Sequence, residues 1–450
     1  MSVPVEVVAV IRKGVQRLGT PQIKSPLADT SRSSDWITQF QDDEERVLVS
    51  PYLSDWNGLR ERDTPPLSYE IAGPRRTIFF DPAKTRAAIV TCGGLCPGLN
   101  DVIRRVVMTF HHNYGLRQTY GIRYGYRGLV EGKTEPPMLL TPEEIEPISN
   151  NGGTYLGSSR GGQDPVEMVD FLQRRKIQIL LTVGGDGTQS GGLEIAHEAE
   201  RRGYLLSVVG LPKTIDNDIG LVEKTFGFDT AVSLAAKVLQ GAHVESEAEF
   251  NGVVIVKLMG RQSGFLATHA SIASGDVNFI LIPEVPFDLE GERGLLAVLR
   301  RRLESRHHAL IVVAEGVAER LLSNPDDEAP RDSSGNLVYE DVGAHLRDRI
   351  SRHFKKTGFP AKVRYIDPSY TVRSLPAIPI DSIFCQNLAH YAVHAAMSGR
   401  TRLVVATCNG VYCHIPMDAV VLGRQFVDPS GPLWRSALET TGQPAVMVNE

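Results

Sequence analysis

Two short acidic segments contain the residues whose types and spacing are best suited to chemistry. The first is GGDGT at residues 184–188, which places Asp186 among glycines directly after an apolar run. Glycine lets backbone N–H groups come close to a phosphate, and a carboxylate can hold Mg²⁺ directly or through water. An acidic turn at a strand end would have the same sequence, so this motif alone leaves both interpretations open. The Walker A pattern is absent, which excludes a P-loop kinase.

The second segment is PKTIDND at residues 212–218, in which two carboxylates flank an asparagine. If the segment is extended, Thr214, Asp216 and Asp218 point to the same side, because side chains alternate along a strand. Such a group could take a proton from a hydroxyl nucleophile and hold a metal ion. The alternative is a turn rich in Asx residues whose acids are solvated. The presence of GGDGT beside it favours the catalytic interpretation.

Side chains in further segments could bind a phosphorylated sugar. Arg160 lies in the glycine-rich GSSRGG, and Arg261 ends MGR after another apolar run. The planar guanidinium matches phosphate oxygens, although a single arginine is more often a surface residue. Glu315, in AEG, could accept hydrogen bonds from sugar hydroxyls. Tyr370 and Arg373, in SYTVRS, could bind a sugar phosphate.

Another glycine turn, CGGLCPGLN at residues 92–100, comes between an apolar run and a helical pattern. Its glycines and the following helix N-terminus could bind a phosphate, but a structural turn is an equal alternative. Cys92 and Cys96 could also suggest a metal site. Because no second ligand pair has zinc spacing, we interpret them as small thiols around the turn.

These segments follow short apolar runs that alternate with helical patterns. Near-continuous apolar runs indicate strands buried on both faces of a mainly parallel sheet. A helix is predicted from about Asp229, because apolar residues recur there at helical spacing. The alternation predicts an α/β fold, in which ligands bind beyond the carboxyl ends of the strands. The predicted strands are Arg86–Thr91, Gln178–Val183, Leu205–Gly210, Gly252–Leu258, Asn278–Ile282, Ala309–Ala314, Val363–Ile366 and Leu403–Ala406.

The length of 450 residues suggests about three domains, or two large ones with an extension. The first 85 residues are rich in Pro, Ser, Arg and Asp and have little periodicity. We expect them to form an extension that packs on a core or on a neighbouring subunit. The polar segment 323–336 is predicted to be an exposed loop.

Composition and charge exclude several classes of protein. A net charge of -5 gives no reason to expect nucleic-acid binding. No apolar run approaches the roughly 20 residues that span a bilayer, and the N-terminus lacks the pattern of a secretory signal. Five cysteines in a long chain do not suggest a disulfide framework. We therefore expect a cytoplasmic protein with neither nucleic acid nor membrane as a partner.

Taken in order, GGLCPGLN, GSSRGG, GGDGT, PKTIDND, MGR, AEG and YTVR resemble the phosphofructokinase family. The resemblance covers roughly residues 86–413. GGDGT alone is poorly specific, since NAD kinases and diacylglycerol kinases carry it too, whereas PKTIDND with MGR is highly specific. The resemblance implies transfer of the ATP γ-phosphate to the 1-hydroxyl of fructose 6-phosphate, with Mg²⁺ as the metal ion.

The resemblance also implies a fold: two Rossmann-like, three-layer α/β domains with mainly parallel sheets facing a cleft, plus an N-terminal extension. The extension would be 1–85. The nucleotide-binding domain would be 86–227 with 372–410, and the domain that binds fructose 6-phosphate would be 228–371. The C-terminal segment 411–450 would wrap back on the body. A homodimer or homotetramer and allosteric regulation are further expectations from the family.

Roles follow from the resemblance residue by residue. Asp216 would be the base, Thr214 would contact the transferred phosphate, Asp218 would support the base or the metal, and Arg261 would hold phosphates. Residues expected to line the nucleotide are Gly94, Arg160, Gly161, Gly185, Asp186, Gly187, Thr188 and Lys213, with Asp186 near Mg²⁺. Residues expected to bind the sugar phosphate are Thr214, Ile215, Asp216, Met259, Gly260, Arg261, Glu315, Tyr370 and Arg373.

Two positions usually indicate which phosphoryl donor a member of this family uses. In relatives that use pyrophosphate, the positions of Gly187 and Lys213 are typically Asp and Lys, while common ATP users have Gly at both. A carboxylate at 187 would crowd and repel the α-phosphate of ATP, whereas Lys213 would only add a mobile cation that either donor tolerates. The Gly–Lys pair also resembles the plant-type and trypanosome-type ATP-dependent branch, so we predict ATP.

Three alternatives remain. The first is a pyrophosphate–fructose-6-phosphate phosphotransferase, and the second is an NAD kinase-like enzyme, which would leave MGR and YTVR unexplained. The third is a non-catalytic regulatory homologue, which predicts the loss of Asp186 or Asp216, and both are present. Many bacterial relatives have an arginine shortly before MGR that reaches the sugar phosphate across a subunit interface. Here that region is Asn251-Gly252, and Arg364 is another candidate for this role.

Overall fold

The computed structural model describes residues 4–28, 39–61, 64–322 and 340–449. The segment 323–336, predicted to be an exposed loop, lies outside them. The chain divides into two compact units. The first unit comprises Met1–Thr214, Ile219–Gly227 and Leu375–Arg424, and the second comprises Ile215–Asp218, Phe228–Ser374 and Gln425–Glu450. The partition divides PKTIDND, so that Lys213 and Thr214 belong to the first unit and its acidic half to the second.

The strands are distributed along the whole chain. In order they are β1 (Gln16–Arg17), β2 (Ile23–Lys24), β3 (Arg46–Leu48), β4 (Ser68–Ile71), β5 (Thr77–Ile78), β6 (Arg86–Thr91), β7 (Gln118–Ile122), β8 (Met138–Leu139), β9 (Ile179–Gly184), β10 (Ser207–Pro212), β11 (Gly252–Leu258), β12 (Phe279–Leu281), β13 (His308–Ala314), β14 (Lys362–Ile366), β15 (Arg400–Thr401), β16 (Leu403–Cys408) and β17 (Val411–Pro416).

Helices occur between most of the strands. They are α1 (Val5–Lys13), α2 (Leu53–Glu61), α3 (Leu99–Met108), α4 (Pro142–Ile145), α5 (Pro165–Arg174), α6 (Asp186–Arg201), α7 (Phe228–Glu247), α8 (Phe265–Ser274), α9 (Leu295–Arg306), α10 (Ala318–Leu322), α11 (Val342–Lys356), α12 (Pro379–Met397), α13 (Met417–Val420) and α14 (Pro432–Thr441). Short 3₁₀ turns, including Glu315–Val317 and Thr371–Arg373, follow some of the strands.

The first unit is built on a mixed sheet whose strand order, within the described residues, is β3-β4-β17-β16-β10-β9-β6-β7-β8. Its centre, from β16 to β7, is parallel, and the flanking pairs are antiparallel. All residues of β9 and β10 are buried. This explains their apolar sequences, because helices cover both faces of a parallel sheet.

The second unit contains the parallel sheet β12-β13-β11-β14. β11 and β13 pair over their full lengths, from Gly252 opposite His308 to Leu258 opposite Ala314. Because these strands end at the same level, the segments that follow them begin side by side. The alternate side chains Val253, Ile255, Ile311 and Val313 belong to the core on one face of this sheet.

The predicted α/β fold is confirmed, and each predicted strand corresponds to a strand of the structure. The largest shift in bounds is at β10, which starts and ends two residues later than predicted and so runs directly into Lys213. β7 and β17 were not predicted, since both mix polar residues with apolar ones. β17 owes its place to its antiparallel pairing with β16, which no local pattern specifies.

Residues of the N-terminal segment add to the first unit. β4 pairs with β17, and β3 pairs with β4, which widens the sheet at that edge. Beneath them Glu70 and Arg400 form a buried ion pair, and Arg75 binds Glu70 over 2.8 Å. Asp43 joins the same cluster through Arg75, over 2.7 Å. None of the helices in the described ranges is long and apolar enough to cross a membrane.

Candidate active site

The carboxyl ends of three central strands of the first unit meet at one edge of the sheet. Val183, near the end of β9, lies opposite Thr91 of β6 on one side and opposite Leu211 of β10 on the other. The loops that follow are therefore neighbours. Lys213 N donates to the carbonyl of Gly184 over 3.2 Å, and Cys92 N donates to that of Val183 over 2.9 Å. This is where ligands bind in open α/β sheets.

The GGDGT segment makes the turn from β9 into α6. A methyl group at Gly184 would lie 2.0 Å from Thr188 Oγ1, so only glycine fits there. Gly185 precedes the helix, and Asp186 is its first residue. At Gly187, by contrast, an added Cβ would meet nothing within 4 Å. The turn therefore presents a carboxylate and an open position at a helix N-terminus, where the helix dipole attracts anions.

A buried amide that the sequence did not identify supports this turn. Gln189 Nε2 donates to the carbonyl of Gly184 over 2.8 Å and to that of Leu211 over 3.2 Å. Tyr126 also contributes, since its hydroxyl donates to the carbonyl of Thr188 over 2.5 Å. The bond to Leu211 and the bond from Tyr126 join residues that are 22 and 62 apart in the sequence, so no local pattern could have revealed them.

Asp186 forms an ion pair with Arg424. The carboxylate side chain is 17% exposed and the guanidinium side chain 30%. Arg424 lies beyond β17, in the segment that the sequence predicted only to wrap back on the body. A glycine precedes it, as one precedes Arg261 in MGR, and this was the only local signal. The carboxylate predicted to lie near Mg²⁺ is thus neutralised by a cation of the same chain.

The two other glycine-rich loops of the first unit pack against each other. Gly93 N donates to the carbonyl of Ser159 over 3.0 Å, and Ser158 Oγ donates to the carbonyl of Gly93 over 2.6 Å. Gly93 and Gly161 have φ values of 85° and 92°, which L side chains rarely adopt. Arg160 is exposed on this loop. CGGLCPGLN and GSSRGG therefore form one surface in the first unit.

Lys213 is not the mobile cation that the sequence suggested. Its side chain is buried, and Nζ donates to the carbonyl of Gly94 over 2.9 Å. A Cβ at Gly93 would approach the same Nζ to 3.2 Å. The ammonium group thus connects the end of β10 with the loop after β6, and the expectation of mobility is wrong. The backbone carbonyl of the next residue, Thr214, accepts a hydrogen bond from Thr225 Oγ1 over 2.8 Å.

In the second unit, the acidic half of PKTIDND is a bent, buried segment. The segment is not extended, so the condition under which Thr214, Asp216 and Asp218 would point to the same side is not met. The chain bends at Ile215 and Asp216. The next residue, Asn217, has a φ of 53°. The exposed fractions of Asp216 and Asp218 are only 8% and 5%. Burial argues against a turn of solvated acids. Gln425 fixes the bend, since its backbone N–H donates to the carbonyl of Asp218 over 3.1 Å.

The MGR turn contacts Asp216 through the side chain of Arg261 and contacts a second carboxylate, Glu315, through its backbone. Arg261 Nε lies 4.0 Å from Asp216 Oδ2. The backbone N–H of Arg261 donates to Glu315 Oε1 over 2.8 Å, and Ser263 Oγ donates to the carbonyl of Asp216 over 3.0 Å. Gly260, with a φ of 147°, allows the turn after β11. Asp216, Arg261 and Glu315, predicted from separate segments, are therefore linked in the structure.

The remaining predicted residues are less closely tied to this group. Met259 is partly buried and Ile215 is buried. Tyr370 and Arg373 lie at the 3₁₀ turn after β14 and contact each other, with the Arg373 guanidinium carbon 5.1 Å from the ring centroid of Tyr370. Tyr370 is 74% exposed.

Arg364, the alternative phosphate-binding arginine, is paired with two carboxylates. It forms ion pairs with Glu245 and, over 2.6 Å, with Glu249. Arg364 lies within β14 opposite Val254 of β11, before the carboxyl end of the strand. Its charge is therefore neutralised away from the edge where Arg261 lies.

Three relatives show strong similarity over most of their length. The chain is 44% identical to an ATP-dependent 6-phosphofructokinase of Borreliella burgdorferi, over 97% of this chain and 97% of the relative. It is 44% identical to one from Arabidopsis thaliana, over 84% and 77% of the two chains. It is 41% identical to one from Trypanosoma brucei brucei, over 90% and 82%. The predicted resemblance to the plant-type and trypanosome-type branch is thus confirmed.

Fold similarity and a family model agree with these relatives. A crystal structure of a pyrophosphate-dependent phosphofructokinase from Marinobacter aquaeolei superimposes with a TM-score of 0.65 and 19% identity, covering 79% of this chain and 91% of the other. At that identity it supports the fold alone. The family model for phosphofructokinase matches residues 86–396. The chain therefore belongs to the phosphofructokinase family.

Proposed function

We propose that the chain transfers the γ-phosphate of ATP to the 1-hydroxyl of fructose 6-phosphate, giving fructose 1,6-bisphosphate and ADP. The observation that carries this proposal is the buried Asp216 beside Arg261, with Glu315 bonded to the same turn. Phosphoryl transfer to a hydroxyl needs one base and well-placed positive charge, and little other covalent chemistry from the protein. The names of the similar relatives support ATP as the donor.

The loops of the first unit are the proposed nucleotide site. Backbone amides around Gly94 and Gly185, together with the N-terminus of α6, can donate hydrogen bonds to phosphate oxygens. Arg160 and Gly161, on the loop packed against Gly93, would add charge and close backbone approach. Lys213 is already held by the carbonyl of Gly94, so its charge is preorganised and costs little to position when phosphates arrive.

Asp186 is the proposed ligand of Mg²⁺. Mg²⁺ usually takes one or two protein carboxylates and completes its shell with water and substrate phosphates, so a single carboxylate beside phosphate-binding loops fits the ion. When bound, Mg²⁺ neutralises charge on the phosphates. The pair with Arg424 means that the ion would compete with a guanidinium for this carboxylate. Thr188, buried behind it, supports the turn.

In the second unit, Asp216 is the proposed base that accepts the proton of the sugar 1-hydroxyl. Ser263 and Gln425 hold the segment from Asp216 to Asp218 through its carbonyls. Arg261 would bind phosphate oxygens while its backbone N–H stays on Glu315. The remaining residues proposed for sugar-phosphate and phosphoryl binding are Thr214, Ile215, Asp218, Met259, Gly260, Tyr370 and Arg373.

We also propose a cytoplasmic homodimer or homotetramer. The five cysteines are all free and buried, which suits a reducing compartment. The number of subunits is an expectation from the family. Light scattering after size-exclusion chromatography measures this number directly.

The test of this function is a coupled assay with fructose 6-phosphate, comparing ATP and pyrophosphate, on the wild type and on Asp216→Asn. We expect turnover with ATP and a loss of kcat of about 10²–10⁴-fold in the variant, because removal of a general base has that effect. Asp170→Asn, on the exposed face of α5, is the matched control and should retain full activity. If the wild type turns over with neither ATP nor pyrophosphate, the enzymatic assignment is rejected. If Asp216→Asn is as active as the wild type, Asp216 is not the base.

A further inference from the structure

A second group of metal-binding side chains lies in the second unit, at the end of α7. His243 and Glu247 are four residues apart, so they lie on the same face of the helix. His243 Nε2 is 3.5 Å from Glu247 Oε2. The imidazole is partly buried, whereas the carboxylate is exposed. Two ligand types that transition metals accept are thus already adjacent.

A third side chain, from a different element, completes the group. His308 is the first residue of β13, and its ring lies 5.4 Å from that of His243, centroid to centroid, in an edge-to-face arrangement. One ligand atom from each of His243, Glu247 and His308 lies within 4.8 Å of the other two. Atoms at the corners of such a triangle are about 2.8 Å or less from its centre, against the roughly 2.0–2.2 Å of zinc–nitrogen and zinc–oxygen bonds. A small rotation of the exposed Glu247 closes this difference.

The surroundings of the two histidines leave ring nitrogens that can bind a metal. His308 Nδ1 lies 3.0 Å from the carbonyl of Arg306. A carbonyl only accepts, so Nδ1 carries the proton and Nε2 carries the lone pair. Metal-binding histidines typically make such a bond with their second nitrogen, because it fixes both tautomer and ring orientation. His243 Nδ1 is buried and has no hydrogen-bond partner among the described residues.

We propose that His243, Glu247 and His308 form a binding site for a divalent transition metal of the Zn²⁺, Co²⁺ and Ni²⁺ class. Two imidazoles and one carboxylate are borderline ligands that these ions prefer over Mg²⁺, which requires oxygen. Water would fill the remaining positions. The ion would join the last turn of α7 to the first residue of β13, and so brace the turn at Phe250 and Asn251 that leads into β11.

This site is separate from the proposed catalytic centre. β13 runs from His308 to Ala314, directly before Glu315. At about 3.3 Å per residue, the strand puts roughly 20 Å between His308 and Glu315. The proposed metal therefore has no part in phosphoryl transfer, and its expected effect is on stability.

The experiment uses the full chain, freed of metal with a chelator and then dialysed into buffer with excess Mg²⁺. Co²⁺ is titrated while its visible absorption is followed, and Tm is measured with and without Zn²⁺. We expect one equivalent of Co²⁺ to bind and Zn²⁺ to raise Tm. His308→Gln and Glu247→Gln should each weaken Co²⁺ binding at least tenfold and abolish the rise in Tm. Because an ion that binds the folded state stabilises it by mass action, both readouts should change together.

His112→Gln is the matched control, since His112 is an exposed histidine of the first unit. It should bind Co²⁺ as the wild type does. All variants should retain wild-type kcat in Mg²⁺, which also shows that they fold. If the wild type binds no Co²⁺ in excess Mg²⁺, or if Glu247→Gln and His308→Gln bind it as tightly as the wild type, the site does not exist.

Discussion

At the scale of single residues, the proposed chemistry depends on how Asp216 is buried. An ionised carboxylate that is removed from water is costly unless a positive charge and hydrogen bonds compensate it. Here Arg261 supplies the charge at 4.0 Å. The distance between Arg261 Nε and Asp216 Oδ2 is longer than a hydrogen bond, so this nitrogen compensates the carboxylate through its charge. We propose that this compensated carboxylate is the base that accepts the proton of the sugar hydroxyl.

We also expect Gly187, rather than Lys213, to decide which phosphoryl donor is used. We expect Gly187→Asp to raise the KM for ATP about tenfold or more, because a carboxylate a few ångströms from a phosphate is repelled by roughly 1–4 kcal/mol at effective dielectric constants of 80 to 20. The substituent itself has room, since a Cβ there meets nothing within 4 Å. The measurement is the ratio of kcat/KM for ATP and for pyrophosphate.

The control for this change is Gly187→Ala, which adds the Cβ without the charge. It should leave the donor preference close to that of the wild type. An unchanged ATP/pyrophosphate ratio in Gly187→Asp would contradict the role given to this position. The same would hold if Gly187→Ala shifted the ratio as much as Gly187→Asp does.

At the scale of elements, the site depends on the register of β11 and β13. Leu258 is opposite Ala314, so MGR and AEG begin at the same level. Glu315 can therefore accept the N–H of Arg261, and Gly316 can lie against the carbonyl of Arg261. Arg261 has a φ of 47°, a backbone conformation that costs energy in a residue other than glycine, and these contacts offset that cost.

We expect Gly316→Ala to displace this turn. The new methyl group would lie 1.8 Å from the carbonyl oxygen of Arg261. The backbone at neither residue can move away without a large cost in free energy. The expected result is a loss of kcat/KM of at least a hundredfold and a destabilisation of about 1–3 kcal/mol, as for other overpacked positions. Steady-state kinetics and chemical unfolding measure the two effects.

Gly241→Ala is the control for glycine substitution in the same unit. Gly241 lies inside α7, where an added Cβ meets nothing within 4 Å. Alanine has the higher helix propensity, so this variant should be stabilised by about 0.5–1 kcal/mol with normal kinetics. Wild-type activity in Gly316→Ala would show that the MGR turn does not depend on close packing.

At the scale of the whole molecule, the N-terminal segment is part of the core of the first unit. The buried Arg400 and its neighbour Arg75 each form ion pairs with Asp43 and Glu70. The imidazole of His414 lies 3.6 Å from Glu70. Burial acts to raise the pKa of Glu70, but His414 and the two arginines more than offset it and hold the pKa below its usual range. Removing one partner of such a cluster leaves a buried charge uncompensated, at a cost of about 3–5 kcal/mol.

Buried histidines should make the protein sensitive to mild acid. Burial lowers the pKa of His394 to about 3 and that of His414 to about 4, from 6.5. Below pH 6.5 the unfolded chain takes up protons that these folded imidazoles do not, so stability falls between pH 6.5 and 4. Each histidine contributes a slope of up to about 1.4 kcal/mol per pH unit. Glu70 adds to this loss in the lower part of the window, because its carboxyl takes up protons below about pH 5.5 in the unfolded chain, whereas its lowered pKa keeps it ionised in the folded state.

The measurement is Tm between pH 7.5 and 4.5, on the wild type and on His394→Gln. Glutamine removes the titration and can still bond to the hydroxyl of Tyr114, which lies 2.8 Å from His394 Nδ1. As the pH falls, the Tm of the variant should decrease less than that of the wild type. His112→Gln, at an exposed position, should follow the wild type. Equal pH dependence in His394→Gln and the wild type would contradict the assignment.

Much of the architecture was predictable from local pattern. Strands such as β6 and β11 were predicted with their observed bounds, because runs buried on both faces are apolar at most positions. The helix from Phe228 was predicted because Ala231, Ala235 and Leu239 repeat at helical spacing. β7 and β17 were missed, since their place in the sheet depends on partners and not on their own composition. The division of the chain into functional domains remains a proposal.

The sequence by itself determined the family and the chemistry it implies, because GGDGT, PKTIDND and MGR place acidic, basic and glycine residues directly after the apolar runs that predict strands. Only the tertiary structure decided how these residues are held. It bends the segment around Asn217, buries Lys213 against Gly94, and pairs Asp186 with Arg424. These contacts join residues far apart in the chain, and the energy that selects them comes from burial and charge compensation in the folded core, which no local pattern encodes.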